Sequence, residues 1–256
     1  MKIGILGLGY VGSAVAHTHR NQQLVIRDPK LGNTSASWED IKNCDAVYIC
    51  VPTPMLTNGQ CDDSYVKTVL SDLKDYTKVI ISKSTVPPGT YQELQKEYSN
   101  LVHAPEFLTA ANATADYESS TWVLVGGEDK WIDNAIDVIK KSTIAATHYH
   151  RTNIGTASLF KYIANSLMAT KVTFMNDMFH LAERLEINWS EIKSIAANDS
   201  RLGDSHWDVP GPDGKFGFGG ACFPKDVAAI IQHGQNLGIT LELLGRVEEI
   251  NKSQRI

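Results

Sequence analysis

The chain has 256 residues, enough for one large or two modest domains, each with a core of its own. Its formal net charge of −5 argues against nucleic acid or an anionic membrane surface as partner, since both call for a basic face. No run of about 18 apolar residues is present, so no membrane span is expected. The four cysteines, Cys44, Cys50, Cys61 and Cys222, show no metal-type pairing, and their number does not suit a disulfide framework in a chain this size; a reducing, cytoplasmic setting fits them.

In chain order, residues 2–6 read as a short buried strand, followed by a glycine turn and a small-residue helix to about His19. The apolar run from Lys2 to Ala16 superficially resembles a secretory signal peptide, but Gly7, Gly9 and Gly12 break it and suit a phosphate-binding turn better. Residues 23–27 form a second strand ending at Asp28, and Ser37-Trp38-Glu39-Asp40 has the pattern of a capping-box helix start. Strands at 46–51 and 78–82 flank a helix near 63–74, and a further helix follows Pro88-Gly89. Short strands near 101–103 and 121–125, a helix at 129–141 and a strand at 147–150 complete this half. Strands alternating with helices imply an α/β fold, a doubly wound Rossmann-type parallel sheet over residues 1–150. From Asn153 the pattern changes to a long helix over 153–186 and helices near 189–197, 224–237 and 240–256, with a Gly/Pro/Asp-rich loop at 203–220. Residues 151–256 therefore read as an all-helical domain.

Gly7-Leu8-Gly9-Tyr10-Val11-Gly12 lies between a predicted strand and a predicted helix. The first glycine permits the tight turn, the second lets backbone approach a pyrophosphate, and the third lets helix pack on strand. The helix N-terminus offers N–H groups and a positive dipole end to the phosphates. Asp28, ending the second strand, is placed to accept hydrogen bonds from ribose hydroxyls and to repel a 2′-phosphate, so NAD is favoured over NADP, with Arg27 and Lys30 as the neighbours that pull the other way.

In the second half, Lys161 and Asn165 stand at i and i+4 on the long helix and share a face. Cys222-Phe223-Pro224-Lys225-Asp226 puts a thiol at a helix start, with Pro224 well placed as the helix's first residue and Lys225 alongside, an environment that favours a thiolate. Gly217, Gly219 and Gly220 before it allow a substrate close to the backbone, and Asp226 in the first turn can orient or deprotonate a water. Cys44 and Cys50 read as buried and inert.

Together these residues resemble the UDP-glucose/GDP-mannose dehydrogenase family. The resemblance is carried by Gly-Leu-Gly-Tyr-Val-Gly (7–12), Cys-Val-Pro-Thr-Pro (50–54), Lys-Ser-Thr-Val-Pro-Pro-Gly (83–89), Ala-Pro-Glu-Phe-Leu (104–108), Phe-Lys-Tyr-Ile-Ala-Asn (160–165) and Gly-Phe-Gly-Gly-Ala-Cys-Phe-Pro-Lys-Asp (217–226). It implies an NAD-dependent nucleotide-sugar 6-dehydrogenase that oxidises a C6 alcohol to a carboxylate in two hydride transfers, with UDP-glucose the expected substrate and UDP-glucuronate the product. Carried over by position, Gly7, Gly9, Tyr10, Val11, Gly12, Asp28, Lys30, Thr53, Thr85 and Lys225 would meet the cofactor. Glu106, Phe107, Leu108, Lys161, Asn165, Arg201, Phe216 and Gly219 would border the sugar nucleotide, Arg201 from a neighbouring subunit. Cys222 would form a thiohemiacetal and then a thioester, with Lys161, Asn165, Asp226, Thr85 and Glu106 assisting. The long helix 153–186 matches the family's dimerisation element, so a homodimer is expected.

Three departures stand out. Ala110 occupies a position where the family usually has a second glutamate, and the stretch from Asp28 to Cys44 is much shorter than usual. The chain ends within a helix, Asn251-Lys252-Ser253-Gln254, that in the family leads to a third, nucleotide-binding domain, here expected to be absent. Two other readings are a two-electron β-hydroxyacid dehydrogenase, which needs no nucleophilic thiol, and a non-catalytic NAD-binding subunit. His148 and His150 share a strand face without a third metal ligand, so no metal is expected, and His17 and His19 read as surface residues.

Overall fold

The computed structural model describes residues 1–255. The chain divides into two compact units, one of residues Met1–Pro54 and Cys61–Lys161, the other of Met55–Gln60 and the residues from Tyr162 onward.

The first unit begins β1 (Lys2–Leu6), α1 (Tyr10–Thr18), β2 (Gln23–Arg27), a 3-10 turn (Pro29–Thr34), α2 (Trp38–Lys42), β3 (Ala46–Ile49) and α3 (Ser64–Asp72). It continues with β4 (Ile80–Ser82), α4 (Pro88–Glu97), β5 (Leu101–His103), α5 (Ala113–Ser119), β6 (Trp122–Gly126), α6 (Asp129–Ile139) and β7 (His148–Thr152). The seven strands form one sheet in the order β2-β1-β3-β4-β5-β6-β7. Neighbours run parallel except β5 and β6, which meet antiparallel at His103 and Gly126.

Side-chain alternation explains why helices cover both faces of this sheet. Ile3, Ile5, Ala46, Tyr48 and Val102 point to one face, where Ala14 and Val15 of α1, Tyr117 of α5 and Ile132 and Ile136 of α6 meet them. Leu6, Val47, Ile49, Ile80 and Leu101 point to the other, against Ile41, Val66, Leu70 and Tyr91 from α2, α3 and α4. Burial of each such aliphatic side chain contributes roughly 1.5–3 kcal/mol, which is why the central strands are continuous apolar runs. Because β2 and β3 lie on opposite sides of β1, the chain reverses direction across the sheet there, and the carboxyl ends of β1 and β3 open a crevice suited to a ligand.

β3 ends at Ile49, sooner than the apolar run to Val51 suggests, because Pro52 and Pro54 cannot continue a ladder. Helix α5 and the 3-10 turn at 29–34 carry too few periodic residues to be legible in sequence. His19, expected at the surface, is fully buried, its Nε2 3.0 Å from the Tyr48 hydroxyl.

α7 (Ile154–Arg184) is a continuous 31-residue helix, and the division between the units falls inside it, later than the change of pattern near 150 suggests. The reason lies in its first turns: Ile154 packs in the core under β4, and Ser158 Oγ donates to the Val86 carbonyl at 2.5 Å. The second unit adds α8 (Trp189–Ala196), α9 (Phe223–Asn236) and α10 (Glu242–Gln254). One core joins Ala169, Phe218, Val227, Ile231 and Val247; another gathers Met175, Ala196, Trp207 and Val209 with Phe179, Trp189 and Phe216 around them. Among the described residues no helix is long and apolar enough to cross a membrane.

Candidate active site

In the first unit the glycine turn connects β1 to α1. Gly7 adopts φ +92°, and a Cβ on Gly12 would lie 2.0 Å from the Gly7 carbonyl oxygen, so both positions require glycine. Gly9 differs: nothing lies within 4 Å of where its Cβ would be, which leaves open space at the first turn of α1. Tyr10 is exposed and Val11 half-buried beside it. Asp28 is buried, accepting the Leu8 amide at 2.6 Å on one carboxylate oxygen and the Lys30 amide at 2.7 Å on the other. It thereby ties the glycine turn to the end of β2. Lys30 is exposed. Arg27 is drawn away, its guanidinium 4.6 Å from the Trp38 ring centroid and donating to the Ala36 carbonyl. The nearest guanidinium is thus engaged away from Asp28. Glycine turn, helix start and a carboxylate at the end of β2 fit a dinucleotide with free ribose hydroxyls.

Thr53 and Thr85 are both buried, beyond the ends of β3 and β4. Lys83, directly after β4, is 2% exposed; its ammonium has no hydrogen-bond partner among the described residues and lies 4.9 Å from the Tyr117 ring centroid. Burial pulls this ammonium down to about 8, opposed by the neighbouring Cys50 and Glu106. The Cys50 thiol is pushed up to about 12, chiefly by burial, which agrees with an inert role. Lys83 opens the stretch at 83–89 but was not singled out as a site residue; its place in that stretch and directly after an apolar strand was the available signal.

Glu106 lies in the loop after β5. One carboxylate oxygen accepts the Leu108 amide at 2.8 Å; the other is 3.2 Å from Lys161 Nζ, which also donates to the Glu106 carbonyl at 2.6 Å. Lys161 is 3% exposed, so its ammonium is not a surface charge on an apolar stem but half of a buried pair. Phe107 is partly exposed with Lys161 Nζ 5.2 Å from its ring centroid, and Ala110 is exposed.

In the second unit Cys222 occupies the residue before α9, whose first two positions are Phe223 and Pro224, and the Asp226 amide donates to the Cys222 carbonyl at 2.9 Å. Asp226, 1% exposed, is gripped on both oxygens: by Asn165 Nδ2 at 2.5 Å and by Lys225 Nζ at 2.5 Å. Lys225 is therefore engaged with Asp226. Arg201 is exposed and folded back onto Asp199, with contacts of 2.9 and 2.6 Å. Phe216 lies against His180 at 4.9 Å between centroids with the rings tilted by 35°, within the aromatic cluster. A side chain on Gly219 would collide with the Arg255 guanidinium. Asn176 and Asn251, also missed from sequence, hold the backbone of Gly217 and Phe218. His148 bonds Thr147, and His150 stands edge-on to Trp122, so both have local partners.

The NAD binding domain of the UDP-glucose/GDP-mannose dehydrogenase family matches residues 19–144, and that family's central domain matches residues 155–253. The chain belongs to the UDP-glucose/GDP-mannose dehydrogenase family. Its N-terminal unit is accordingly an NAD-binding domain, with Asp28 at the end of β2 where such a domain carries its carboxylate. Among family relatives, UDP-glucose 6-dehydrogenase TuaD of Bacillus subtilis is 32% identical over 243 residues, covering 90% of this chain and 51% of the relative. UDP-glucose 6-dehydrogenase of Rickettsia bellii is 32% identical over 238 residues, covering 88% and 53%. The chain thus spans about half the length of these curated relatives. A UDP-glucose dehydrogenase structure from Pyrobaculum islandicum superposes with a TM-score of 0.82 at 25% identity, over 98% of this chain and 68% of that one.

Proposed function

We propose that the protein is an NAD-dependent nucleotide-sugar 6-dehydrogenase that takes UDP-glucose to UDP-glucuronate, with Cys222 as nucleophile. The observation that carries this is the buried Asn165–Asp226–Lys225 network in the first turn of α9, next to Cys222. A carboxylate so deeply buried and held by two donors is expensive unless it serves a purpose, and a thiol nucleophile followed by hydrolysis supplies one.

Gly7, Gly9, Gly12, the start of α1, Asp28, Thr53 and Thr85 would hold NAD⁺, which supplies a hydride acceptor. Glu106, Phe107 and Leu108 would border the sugar, and Phe216, Gly219 and Arg201 the remainder of the nucleotide. Oxidation of the C6 alcohol, with hydride passing to one NAD⁺ and the hydroxyl proton to solvent, would give the aldehyde. The Cys222 sulfur would add to the aldehyde carbon, its proton passing to the carbonyl oxygen to give a thiohemiacetal, and loss of a hydride to a second NAD⁺ together with the hydroxyl proton would leave a thioester. Lys161, whose charge is poised on Glu106, and Asn165, one helical turn further along α7, would stabilise negative charge on the C6 oxygen. Asp226 would orient the hydrolytic water and take its proton, releasing the acid and the thiol. The likeness to relatives named UDP-glucose 6-dehydrogenase makes UDP-glucose the first substrate to supply.

A homodimer belongs to the same proposal. Phe160, Ile163, Leu167, Phe174 and Leu181 are exposed along one stripe of α7, at the spacing that seats a second helix.

The test is stoichiometric. NADH formed per sugar consumed is measured for the wild type and Cys222→Ser, with UDP-glucose and other nucleotide sugars. Two NADH per sugar in the wild type, and no acid from Cys222→Ser, is the expected result. One NADH per substrate and indifference to Cys222 would instead support a two-electron dehydrogenase. Retained NAD binding without turnover would support a non-catalytic subunit.

A further inference from the structure

The segment leading to Cys222 is fixed by two asparagines that lie inside helices on unrelated parts of the chain. Asn176 of α7 accepts the Gly217 amide on Oδ1 at 3.0 Å while its own Nδ2 donates to the Val172 carbonyl at 2.7 Å. Asn251 of α10 accepts the Phe218 amide on Oδ1 at 2.7 Å. Both side chains are buried. Arg255, one turn beyond Asn251, donates to the Gly217 carbonyl at 3.0 Å and pairs with Asp213 at 2.7 Å.

Three consecutive backbone groups of one loop, two N–H and one C=O, are thus satisfied by side chains rather than by secondary structure. An asparagine inside a helix is mildly unfavourable, and burying its amide without partners costs about 1–3 kcal/mol, so the arrangement persists only because each oxygen meets a loop amide. Gly217 and Gly220 have φ of +70° and +76°, so the loop on its own has many conformations to choose from. The clamp selects one of them.

We propose that Asn251 and Asn176 are positioning residues that set the approach of the Gly217–Gly220 backbone to whatever is bound at Cys222. The chemistry assigned to that cysteine rests on the reading above; the clamp itself does not. Neither asparagine touches the reacting atoms. Each acts through the loop, so losing either frees the loop and changes how accessible Cys222 is while the helices stay formed.

The experiment is native alkylation by iodoacetamide, followed by mass spectrometry of the Cys222 and Cys61 peptides, on the full chain. Cys61 lies in the other unit and is also partly exposed, which makes it an internal control. Asn251→Leu keeps the volume and removes the acceptor, Asn251→Asp keeps the acceptor, and Asn176→Ala and Arg255→Ala test the other holds. Asn251→Leu and Asn176→Ala are expected to change the Cys222 rate roughly tenfold or more, the factor that accompanies loss of one buried hydrogen bond, with Cys61 unchanged. Asn251→Asp should remain within about threefold of the wild type, since the acceptor survives. A Cys222 rate that does not move in Asn251→Leu and Asn176→Ala overturns the proposal. So does a parallel shift at both cysteines, which would mark these asparagines as general fold residues. A selective Cys222 shift in a chain that oxidises no nucleotide sugar would leave the clamp standing and remove the enzymatic reading alone.

Discussion

His19 and His103 keep their imidazoles neutral inside the first unit, and this gives the fold a pH dependence with a definite sign. Burial, with the Lys83 charge second, lowers His19 to about 4; burial also dominates at His103, lowered to about 3 with Lys83 and Lys161 adding to it. Both folded values lie below the ordinary 6.5, so the stability is whole above pH 6.5 and is lost as pH falls toward the folded values. Between pH 6.5 and 5 each histidine should cost about 2 kcal/mol, a range where carboxylates contribute little. A thermal midpoint lower at pH 5 than at pH 7.5, and a flatter dependence in His19→Gln/His103→Gln, is the expected calorimetric result. Gly12→Ala tests the turn: its methyl would meet the Gly7 carbonyl at 2.0 Å, and a loss of about 3 kcal/mol together with NAD affinity is expected from calorimetry and titration. The glycine turn, the strand end at Asp28 and the helix start at Cys222 were legible in sequence because their geometry is local. His19, Lys83, Asn176 and Asn251 were not, because the partners that define them lie far along the chain: Tyr48 for His19, the Gly217–Phe218 backbone for the asparagines.

At the scale of elements, α7 carries two opposed demands. Its buried face supplies Lys161, Asn165 and Asn176, while Leu167 and Phe174 stand exposed on the outer stripe. If that stripe seats a second copy, Leu167→Glu or Phe174→Glu should weaken association roughly 100-fold or more, read by sedimentation velocity, with helicity unchanged. An unchanged oligomeric state would sink the dimer. The strands and most helices were readable from alternation and period, since the sheet is buried on both faces and its residues sort cleanly between two cores. Helix ends and the short α5 were less so, because capping there is by backbone and single residues: Asn112 before α5 makes no side-chain cap.

At the scale of the molecule, one helix belongs to both units, and Lys161 and Asn165 stand on either side of the division. Ala164→Pro, placed between them, would remove one helical hydrogen bond at a cost of about 3 kcal/mol or more. NAD titration should be unaffected while NADH production falls steeply; equal loss of both would mean that α7 is needed for the first unit to fold. The same strand-to-helix path also reaches α7 through an uneven sheet. β5 and β6 share only the antiparallel pair His103–Gly126, whereas β6 and β7 are matched along five pairs. The sheet therefore has a seam. Amide protons of β6 and β7 should exchange as a group of their own, faster than those of β1 and β3, because a ribbon joined at one rung can open without unravelling the rest. α7 follows β7 directly, so the lysine proposed to steady the C6 oxygen hangs from the weaker side of the seam and is tied back across it by the Ser158–Val86 and Lys161–Glu106 bonds. Those two bonds turn a detachable ribbon into a dependable ruler for the placement of charge.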